Sequence, residues 1–280
     1  MKYFVLSDIH SFYDEMILAL KKSGFQKTNR DHHLIVLGDV FDRGPKTKEV
    51  YEFLKSFPRS RITLVKGNHE ELYLDLLHKS FPDSYDFSNG TVRTFCHIAN
   101  MPEYKMKWGN NNDPRLIWDI IKERVKESPI TKWLKSNRWV DYVEFGKFIG
   151  VHSFIPTKLK DEYNKFSYYS YDLAARCYEY FDNWRELAGS GDWSSARWGN
   201  PWEQYLQGLF KPEEEKGKTL ICGHWHCYDF RIHLGGEHYE SKEDINFDSY
   251  ISDGIIAIDA CTALSKQVNV LVIENNTVLN

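Results

Sequence analysis

The chain has 280 residues, of which 42% are hydrophobic and 15% aromatic, so it can bury a large core and is not predicted to be disordered. Its formal charge is −4, which argues against a nucleic-acid polymer as its partner. The apolar N-terminal run is too short for a signal peptide, no run is long enough for a membrane helix, and the five cysteines form no CxxC pair, so we expect a cytoplasmic protein with reduced thiols and no membrane partner.

Short apolar runs, rich in β-branched residues and bounded by turn formers, are typical of buried strands. They cover residues 2–8, 33–39, 61–68, 147–153, 218–226, 254–260 and 268–275. After the second and third runs, apolar residues recur at the i, i+3, i+4 spacing of helices. These positions are Val50, Phe53, Leu54 and Phe57, followed by Tyr73, Leu76 and Leu77. Strands alternating with helices predict an α/β fold that contains parallel strands.

Two long segments depart from this alternation. Residues 78–145 and 156–217 are aromatic and charged, with helical or mixed character, and they contain most of the tryptophans. We interpret them as helical insertions around the mouth of a site. The sequence thus predicts a single domain over residues 1–280.

Side chains of metal-ligand type follow five of the predicted strands. They are Asp8 and His10, Asp39, Asn68 and His69, His152, and His224 with His226. One aspartate at a strand end is usually a turn or cap former. Five strand ends with such residues instead favour a shared site, because sites of open α/β sheets form at the carboxyl ends of strands.

The donor types of these side chains indicate the kind of metal ion. Carboxylate, amide and imidazole ligands without thiolates suit Mn²⁺, Fe²⁺ or Zn²⁺. One ion does not need so many ligands, whereas two ions about 3.5–4 Å apart that share a bridging carboxylate would use them all. Such a pair activates water and polarises a phosphoryl oxygen. The sequence therefore predicts two divalent ions, with Mn²⁺ as first choice, and hydrolysis of a phosphate ester.

Five motifs extend this prediction to a family. SDIH (7–10), GDVFDRG (38–44), GNHE (67–70), VHS (151–153) and GHWH (223–226) resemble, in this order, the motifs of the calcineurin-like metallophosphoesterases. The pair GDVFDRG and GNHE is closer to their phosphoprotein phosphatase branch, which has bacterial and phage members. This resemblance implies a central β-sandwich flanked by helices and a binuclear metal centre.

The resemblance also implies a role for each matching residue. Asp8 and His10 would bind the first metal ion, Asp39 would bridge both, and Asn68, His152 and His224 would complete the second. His69, oriented by Asp42, would protonate the leaving oxygen, and Arg43 would bind the phosphate. Two alternatives stay open: Arg43 could form a structural salt bridge with Asp42, and His69 could be a further ligand of the second ion.

Three positions are less directly matched to the family. His226 is predicted as a first-metal ligand, as in the broader superfamily, although the phosphoprotein phosphatase branch usually lacks a histidine there. Arg197, in GDWSSARWGNPW (191–202), is the candidate for a second phosphate-binding arginine. The alternative is a surface arginine packed on a neighbouring tryptophan. Phe154 replaces a small residue of the family pattern and is expected near the second metal.

The predicted substrate is a phosphorylated protein or nucleotide. A serine/threonine protein phosphatase is the first interpretation, because GDVFDRG with GNHE is typical of that branch. A diadenosine tetraphosphate (dinucleoside polyphosphate) hydrolase is the alternative, since bacterial members share these motifs and the aromatic insertions could stack on adenine. A nucleotide or nucleic-acid phosphodiesterase comes third. A non-catalytic binding module is disfavoured, because the ligand set and His69 are complete.

Overall fold

The computed structural model describes residues 1–106, 113–160 and 178–279. Its central feature is a pair of β-sheets packed face to face, with helices on the outer surface of each sheet. The predicted α/β fold with a helix-flanked sandwich is therefore confirmed.

The first sheet contains six strands in the described part of the chain. Numbered in chain order, they are β1 (Lys2–Leu6), β2 (His32–Leu37), β3 (Ile62–Val65), β4 (Trp139–Val140), β12 (Leu271–Glu274) and β13 (Thr277–Val278). They lie in the order β13-β12-β1-β2-β3-β4. Strands β1 to β4 are parallel, whereas β12 and β13 are antiparallel to their neighbours. The parallel strands therefore end at one common edge.

The second sheet has five strands among the described residues. They are β5 (Tyr142–Phe145), β6 (Phe148–Val151), β9 (Thr219–His226), β10 (Tyr250–Ile251) and β11 (Ile255–Asp259). Their order is β10-β11-β9-β6-β5, and the central strands β11, β9 and β6 are parallel. A separate antiparallel pair joins β7 (Lys158–Leu159) to β8 (Tyr178–Glu179).

Helices connect and cover these strands. Those of the first half are α1 (Tyr13–Lys22), α2 (Thr47–Lys55), α3 (Asn68–Leu76), α4 (Ser84–Ser88), α5 (Thr91–Ala99), α6 (Pro114–Lys126) and α7 (Pro129–Leu134). Those of the second half are α8 (Asp192–Arg197), α9 (Pro201–Leu206), α10 (Cys227–His233) and α11 (Thr262–Ser265). Within the described ranges, no helix combines the length and the apolar character needed to cross a membrane.

The side chains of each strand alternate between two apolar layers, because successive residues point to opposite faces. Val5 and Ile35 of the first sheet pack between the sheets with Ile221 and Ile256 of the second. On the outer face of the first sheet, buried strand residues such as Phe4 pack with helices of the first half. The outer face of the second sheet is covered by a cluster rich in tryptophan and phenylalanine. Burial on both faces explains why these strands are continuous apolar runs.

The seven predicted strands and the two predicted helices are present, with ends that differ by a few residues. The described residues of the segment 78–145 form helices α4 to α7 and also supply β4, a strand of the first sheet, and β5, a strand of the second. These two strands have only two and four residues, too few for a recognisable alternation. Residues 107–112 of this segment lie outside the described residues. In the segment 156–217, the described residues form β7, β8, α8 and α9, and residues 161–177 lie outside the described residues.

The apolar layer between the sheets predicts that substituting two paired isoleucines lowers the stability of the fold by different amounts. Ile256 is 2% exposed, whereas Ile251, its partner on the neighbouring strand, is 48% exposed. We expect Ile256→Ala to lower the free energy of unfolding by about 2–5 kcal/mol, and Ile251→Ala to lower it by about 1 kcal/mol or less. Urea denaturation of both variants measures the difference. Equal losses would contradict a dominant inter-sheet core.

Candidate metal centre

The ligand-type residues lie at one edge of the sandwich, directly after the parallel strands. Asp8 follows β1, Asp39 follows β2, and Asn68 opens α3 after β3. From the second sheet, His152 follows β6, and His224 lies near the end of β9. Residues from both sheets thus meet because their strands end on the same side.

Asp39 belongs to two groups of potential metal ligands. The first, the His10 cluster, consists of His10, Asp39 and His69, and the second, the His152 cluster, consists of Asp39, Asn68, His152 and His224. Asp39 Oδ2 lies 3.7 Å from His10 Nε2 and 3.9 Å from His69 Nε2, while Asp39 Oδ1 lies 3.4 Å from His152 Nε2. The two oxygens of one carboxylate therefore face the two clusters.

The His152 cluster has the donor set that a divalent cation requires. Asn68 Oδ1 lies 2.8 Å from His152 Nε2, and the same atom position is 3.1 Å from His224 Nδ1 and 3.2 and 3.3 Å from the Asp39 oxygens. The Leu37 carbonyl accepts the Nδ1 proton of His152 at 2.8 Å, so His152 Nε2 presents a lone pair. If the Asn68 side-chain amide were rotated by 180°, its NH₂ group would face His152, His224 and Asp39 instead of its oxygen. With the amide oxygen facing them, the four side chains together present only lone pairs and negative charge, which suits a cation.

Three imidazoles of the two clusters have the neutral form that metal binding requires. Burial lowers the pKa of His10, His152 and His224, so these rings are neutral and keep a lone pair. His10 Nδ1 lies 2.9 Å from the Phe41 carbonyl, so Nδ1 carries the proton of the neutral ring and Nε2 carries the lone pair. Such a hydrogen bond behind a ligating histidine sets its orientation and raises its basicity.

Buried carboxylates surround the clusters. Burial, followed by the neighbouring Asp259, raises the pKa of Asp8 to about 6, and burial also raises the pKa of Asp39 and Asp259. One Asp8 oxygen accepts the His224 backbone N–H at 3.0 Å, which holds it at the same edge. Charged acids are unfavourable in such a place unless cations compensate them. The acid cluster therefore points to bound cations, as the lone pairs do.

The loops that carry these residues have an unusual backbone. A positive φ is uncommon for residues other than glycine and costs of order 1 kcal/mol. The site residues that adopt it are Asp8 (51°), His10 (48°), Ser11 (62°), Asp39 (53°), Asp42 (75°), Arg43 (59°) and His224 (64°). The tight turns direct backbone N–H groups of one loop at carbonyls of the other. His10 N–H donates to the Asp39 carbonyl at 3.0 Å, and Ser11 N–H donates to the Val40 carbonyl at 2.9 Å. The loops after β1 and β2 thus support each other.

Glu70, for which the sequence predicted no role, connects the loops after β2 and β3. Its carboxylate accepts N–H groups from Asp39 (2.9 Å), Val40 (3.0 Å) and Gly67 (2.7 Å). It therefore fixes Asp39 against the start of α3, where the His69 N–H also donates to Asp39 Oδ1 at 3.0 Å. The detectable signal in the sequence was a glutamate three residues after Gly67, the spacing of a capping box.

His69 and Asp42 form a hydrogen-bonded pair, as the family resemblance implied. His69 Nδ1 lies 2.7 Å from Asp42 Oδ2. Burial alone would lower the pKa of His69, but the charge of Asp39 and the hydrogen bond and charge of Asp42 outweigh it and raise the pKa. His69 Nε2 faces Asp39, as described above. The ring is thus held by one carboxylate and directed towards the second.

Two threonines of α5, for which the sequence predicted no role, bind this pair. The hydroxyls of Thr91 and Thr94 donate to the two Asp42 oxygens at 2.8 and 2.6 Å. Both lie in the segment 78–145, so this predicted insertion contributes to the site itself. No motif marks them, because threonines 49 and 52 positions from Asp42 look like ordinary helix residues.

Arg43 lies among the histidines rather than on Asp42. Its Nη1 lies 2.8 Å from His10 Nε2, and its Nη2 lies 3.2 Å from His69 Nε2. Among the described contacts of Arg43, none is a salt bridge to Asp42. The guanidinium therefore lies at the rim of the His10 cluster, where it can meet an anion.

Arg197 and Phe154 are both buried. Arg197 is 5% exposed, so it is not a surface arginine, and its two terminal nitrogens pair with Glu71 of α3 and with Asp141. Phe154, which was expected near the second metal, lies in the apolar cluster behind the second sheet. That cluster combines aromatic and aliphatic side chains.

His226 lies beside the clusters, with acids on both sides. Its Nδ1 is 3.5 Å from Asp229 and its Nε2 is 3.9 Å from Asp259. Burial lowers its pKa, but the hydrogen bonds to Asp229 and Cys261 and the charge of Asp259 prevail and raise the pKa to about 12. The structure thus brings His226 to the site edge, outside the two clusters defined above.

Several known proteins resemble this chain. An asymmetrical bis(5'-nucleosyl)-tetraphosphatase of Bacillus velezensis is 40% identical over 76 residues, which are 25% of this chain and 30% of the relative. A symmetrical bis(5'-nucleosyl)-tetraphosphatase of Buchnera aphidicola is 34% identical over 84 residues, 30% of this chain and 29% of the relative. The aligned segments thus span less than a third of these relatives.

The fold also matches a solved structure, that of a cold-active protein tyrosine phosphatase. The two superpose with a TM-score of 0.54 over 99% of this chain and 75% of that one, at 17% sequence identity, which is a likeness of fold. The family model described as calcineurin-like phosphoesterase matches residues 1–228. This match confirms the resemblance that the motifs indicated, and the chain belongs to the calcineurin-like phosphoesterase family.

Proposed function

We propose that the chain is a two-metal phosphoesterase that hydrolyses a dinucleoside polyphosphate. The observation that carries this proposal is the sharing of Asp39 between two ligand clusters, with the His69–Asp42 pair directed at the same carboxylate. The substrate class is supported by the bis(5'-nucleosyl)-tetraphosphatases that share 40% and 34% identity with parts of this chain. This choice reverses the order of the two substrates predicted from the motifs alone.

A serine/threonine protein phosphatase is the second candidate. The motif pair GDVFDRG and GNHE supports it, because that combination resembles the phosphoprotein phosphatase branch. The superposition with a protein tyrosine phosphatase is a likeness of fold and does not favour one phosphoprotein over another. We therefore rank this candidate below the dinucleotide.

The proposal assigns the metal ligands in two sets that share Asp39. Asp8, His10 and Asp39 would hold the first ion, and Asp39, Asn68, His152 and His224 would hold the second. His226 would become a further ligand of the first ion only after losing the proton that its raised pKa retains. Bound there, divalent ions, for which we propose Mn²⁺, supply an activated water and stabilise charge on the phosphoryl oxygens. Neutral imidazoles and hard oxygens suit this choice of metal.

The remaining residues position the substrate and move one proton. Arg43 would bind two phosphoryl oxygens through its planar guanidinium. As hydroxide from an attacking water adds to phosphorus and the P–O bond breaks, protonated His69 would give its Nε2 proton to the leaving oxygen, and the proton lost by the water would return His69 to its charged form. Asp42 holds the ring through Nδ1 and stabilises its charged form. A phosphate contact of Arg197 would have to compete with two carboxylates, so we assign Arg197 a positioning role.

The first test is hydrolysis by the manganese-loaded protein of diadenosine tetraphosphate, a phosphoserine peptide and para-nitrophenyl phosphate. We expect turnover of the dinucleotide, and we expect metal removal to abolish it. Asp39→Asn should lower kcat at least about 100-fold, because the variant loses the shared negative ligand. Asp14→Asn, a change of an exposed carboxylate on α1, should leave kcat unchanged.

Each outcome of this panel has a distinct meaning. Cleavage of the phosphoserine peptide without the dinucleotide would replace the first substrate candidate by the second. Bound metal, shown by elemental analysis, without turnover of any compound would contradict a phosphoesterase. Full activity of Asp39→Asn would contradict a shared bridging ligand.

The His69–Asp42 pair predicts a specific pH dependence. The raised pKa of His69 means that its proton-donating form is present below that pKa and is lost as the pH rises through it. Asp42→Asn removes a charge that raises this pKa, so the alkaline limb of kcat should move to lower pH, and kcat should fall by about 10²–10⁴-fold. A pH–rate profile measures both. An unshifted alkaline limb would exclude His69 as the proton donor.

Glu70 predicts an effect on metal binding rather than on the chemical step. Glu70→Gln cannot accept N–H groups at both of its side-chain atoms, so Asp39 is held less firmly. We expect about 10–100-fold weaker binding of Mn²⁺ by titration calorimetry, with kcat largely restored at saturating metal. Glu49→Gln, an exposed change on α2, is the control. Unchanged metal affinity would rule out this supporting role.

A further inference from the structure

Trp198 is an exposed aromatic ring beside the metal centre. It is 41% exposed, whereas the other tryptophans that the structure describes are buried or partly buried. Its ring centroid lies 6.1 Å from that of His224, with the planes at 85°. Trp198 therefore presents an aromatic surface next to a ligand of the His152 cluster while much of the ring contacts solvent.

The backbone on both sides of Trp198 is fixed to the site. The preceding Arg197 is buried and pairs with Glu71, which lies two residues after His69. The following Gly199 has its carbonyl bound by the Ser153 hydroxyl at 2.7 Å, directly after His152. The ring is thus carried by a fixed backbone, and little conformational entropy is lost when a ligand stacks on it.

The other aromatic rings of this edge are already engaged. Tyr228 stacks on His226, with centroids 5.3 Å apart and planes at 19°, and meets Phe247 edge-on at 5.8 Å. Trp225 lies edge-on to Trp202 at 6.2 Å. Trp198 is thus the ring of this edge with the most accessible surface.

We propose that Trp198 stacks on a nucleobase of the substrate and so selects nucleoside phosphates over other phosphate esters. This inference rests on the proposed function, since a phosphate bound at the adjacent metal centre would hold the base near the ring. An exposed indole offers a large, planar and uncharged surface, and stacking on it does not depend on the identity of the base. The structure therefore assigns a specificity role to a residue that takes no part in the chemical step.

Binding of adenosine 5′-monophosphate and ribose 5-phosphate to the manganese-loaded protein tests the proposal by calorimetry. The two ligands carry the same phosphate and ribose and differ in the base. We expect the nucleotide to bind about 10-fold more tightly than the sugar phosphate. Trp198→Ala should abolish this difference, Trp198→Phe should retain part of it, and Tyr85→Ala, a change of an exposed ring on α4, should leave it intact.

The outcomes separate this proposal from the proposed function. Binding needs no turnover, so a base preference that depends on Trp198 supports the stacking even in a protein that does not cleave the dinucleotide. Equal binding of the two ligands by the unaltered protein would overturn the proposal. Equal weakening of both ligands by Trp198→Ala would also overturn it, because Trp198 would then act on the phosphate site.

Discussion

The structure depends on the close burial of several carboxylates and imidazoles at one sheet edge. Glu70 is compensated by three backbone N–H groups, and the Asp42 oxygens by two threonine hydroxyls and the His69 ring. Among the described hydrogen bonds, Asp39 accepts the backbone N–H of His69, and burial raises the pKa of Asp39. Divalent cations would compensate its buried charge, and the large apolar layers of the sandwich stabilise the arrangement without them.

The same constraint explains the strained backbone. Each loop has to turn sharply directly after a buried strand, so that a short carboxylate or imidazole reaches a common point. After β1 and β2 and near the end of β9, residues with a positive φ produce these turns, and hydrogen bonds between the loops after β1, β2 and β3 limit the cost of this conformation. Glu70 is central here, because one carboxylate holds both the Asp39 loop and the entry to α3.

The sequence was sufficient to predict the strands and the family, because apolar runs and strand-end motifs are local patterns, and the ligand-type residues of those motifs lie at one sheet edge. Contacts between distant segments were beyond it. Thr91 and Thr94 have no motif, and the pairing of Arg197 with Glu71 and Asp141 joins residues 126 and 56 positions apart. Phe154 shows the same limit, since the sequence does not indicate into which apolar layer its ring packs.

The predicted insertions therefore contribute to the site in two separate ways. Helix α5 holds Asp42 and, through it, the ring of His69, whereas the loop after α8 presents Trp198 beside His224. On our proposals, the first contribution acts on proton transfer and the second acts on the choice of substrate. Because Trp198 shares no hydrogen bond with the His69–Asp42 pair among the described contacts, changes of its ring can alter substrate preference while the geometry of proton transfer is kept. The sandwich edge thus supplies the chemistry common to a phosphoesterase, and the segments packed around it determine which phosphate ester reaches that chemistry.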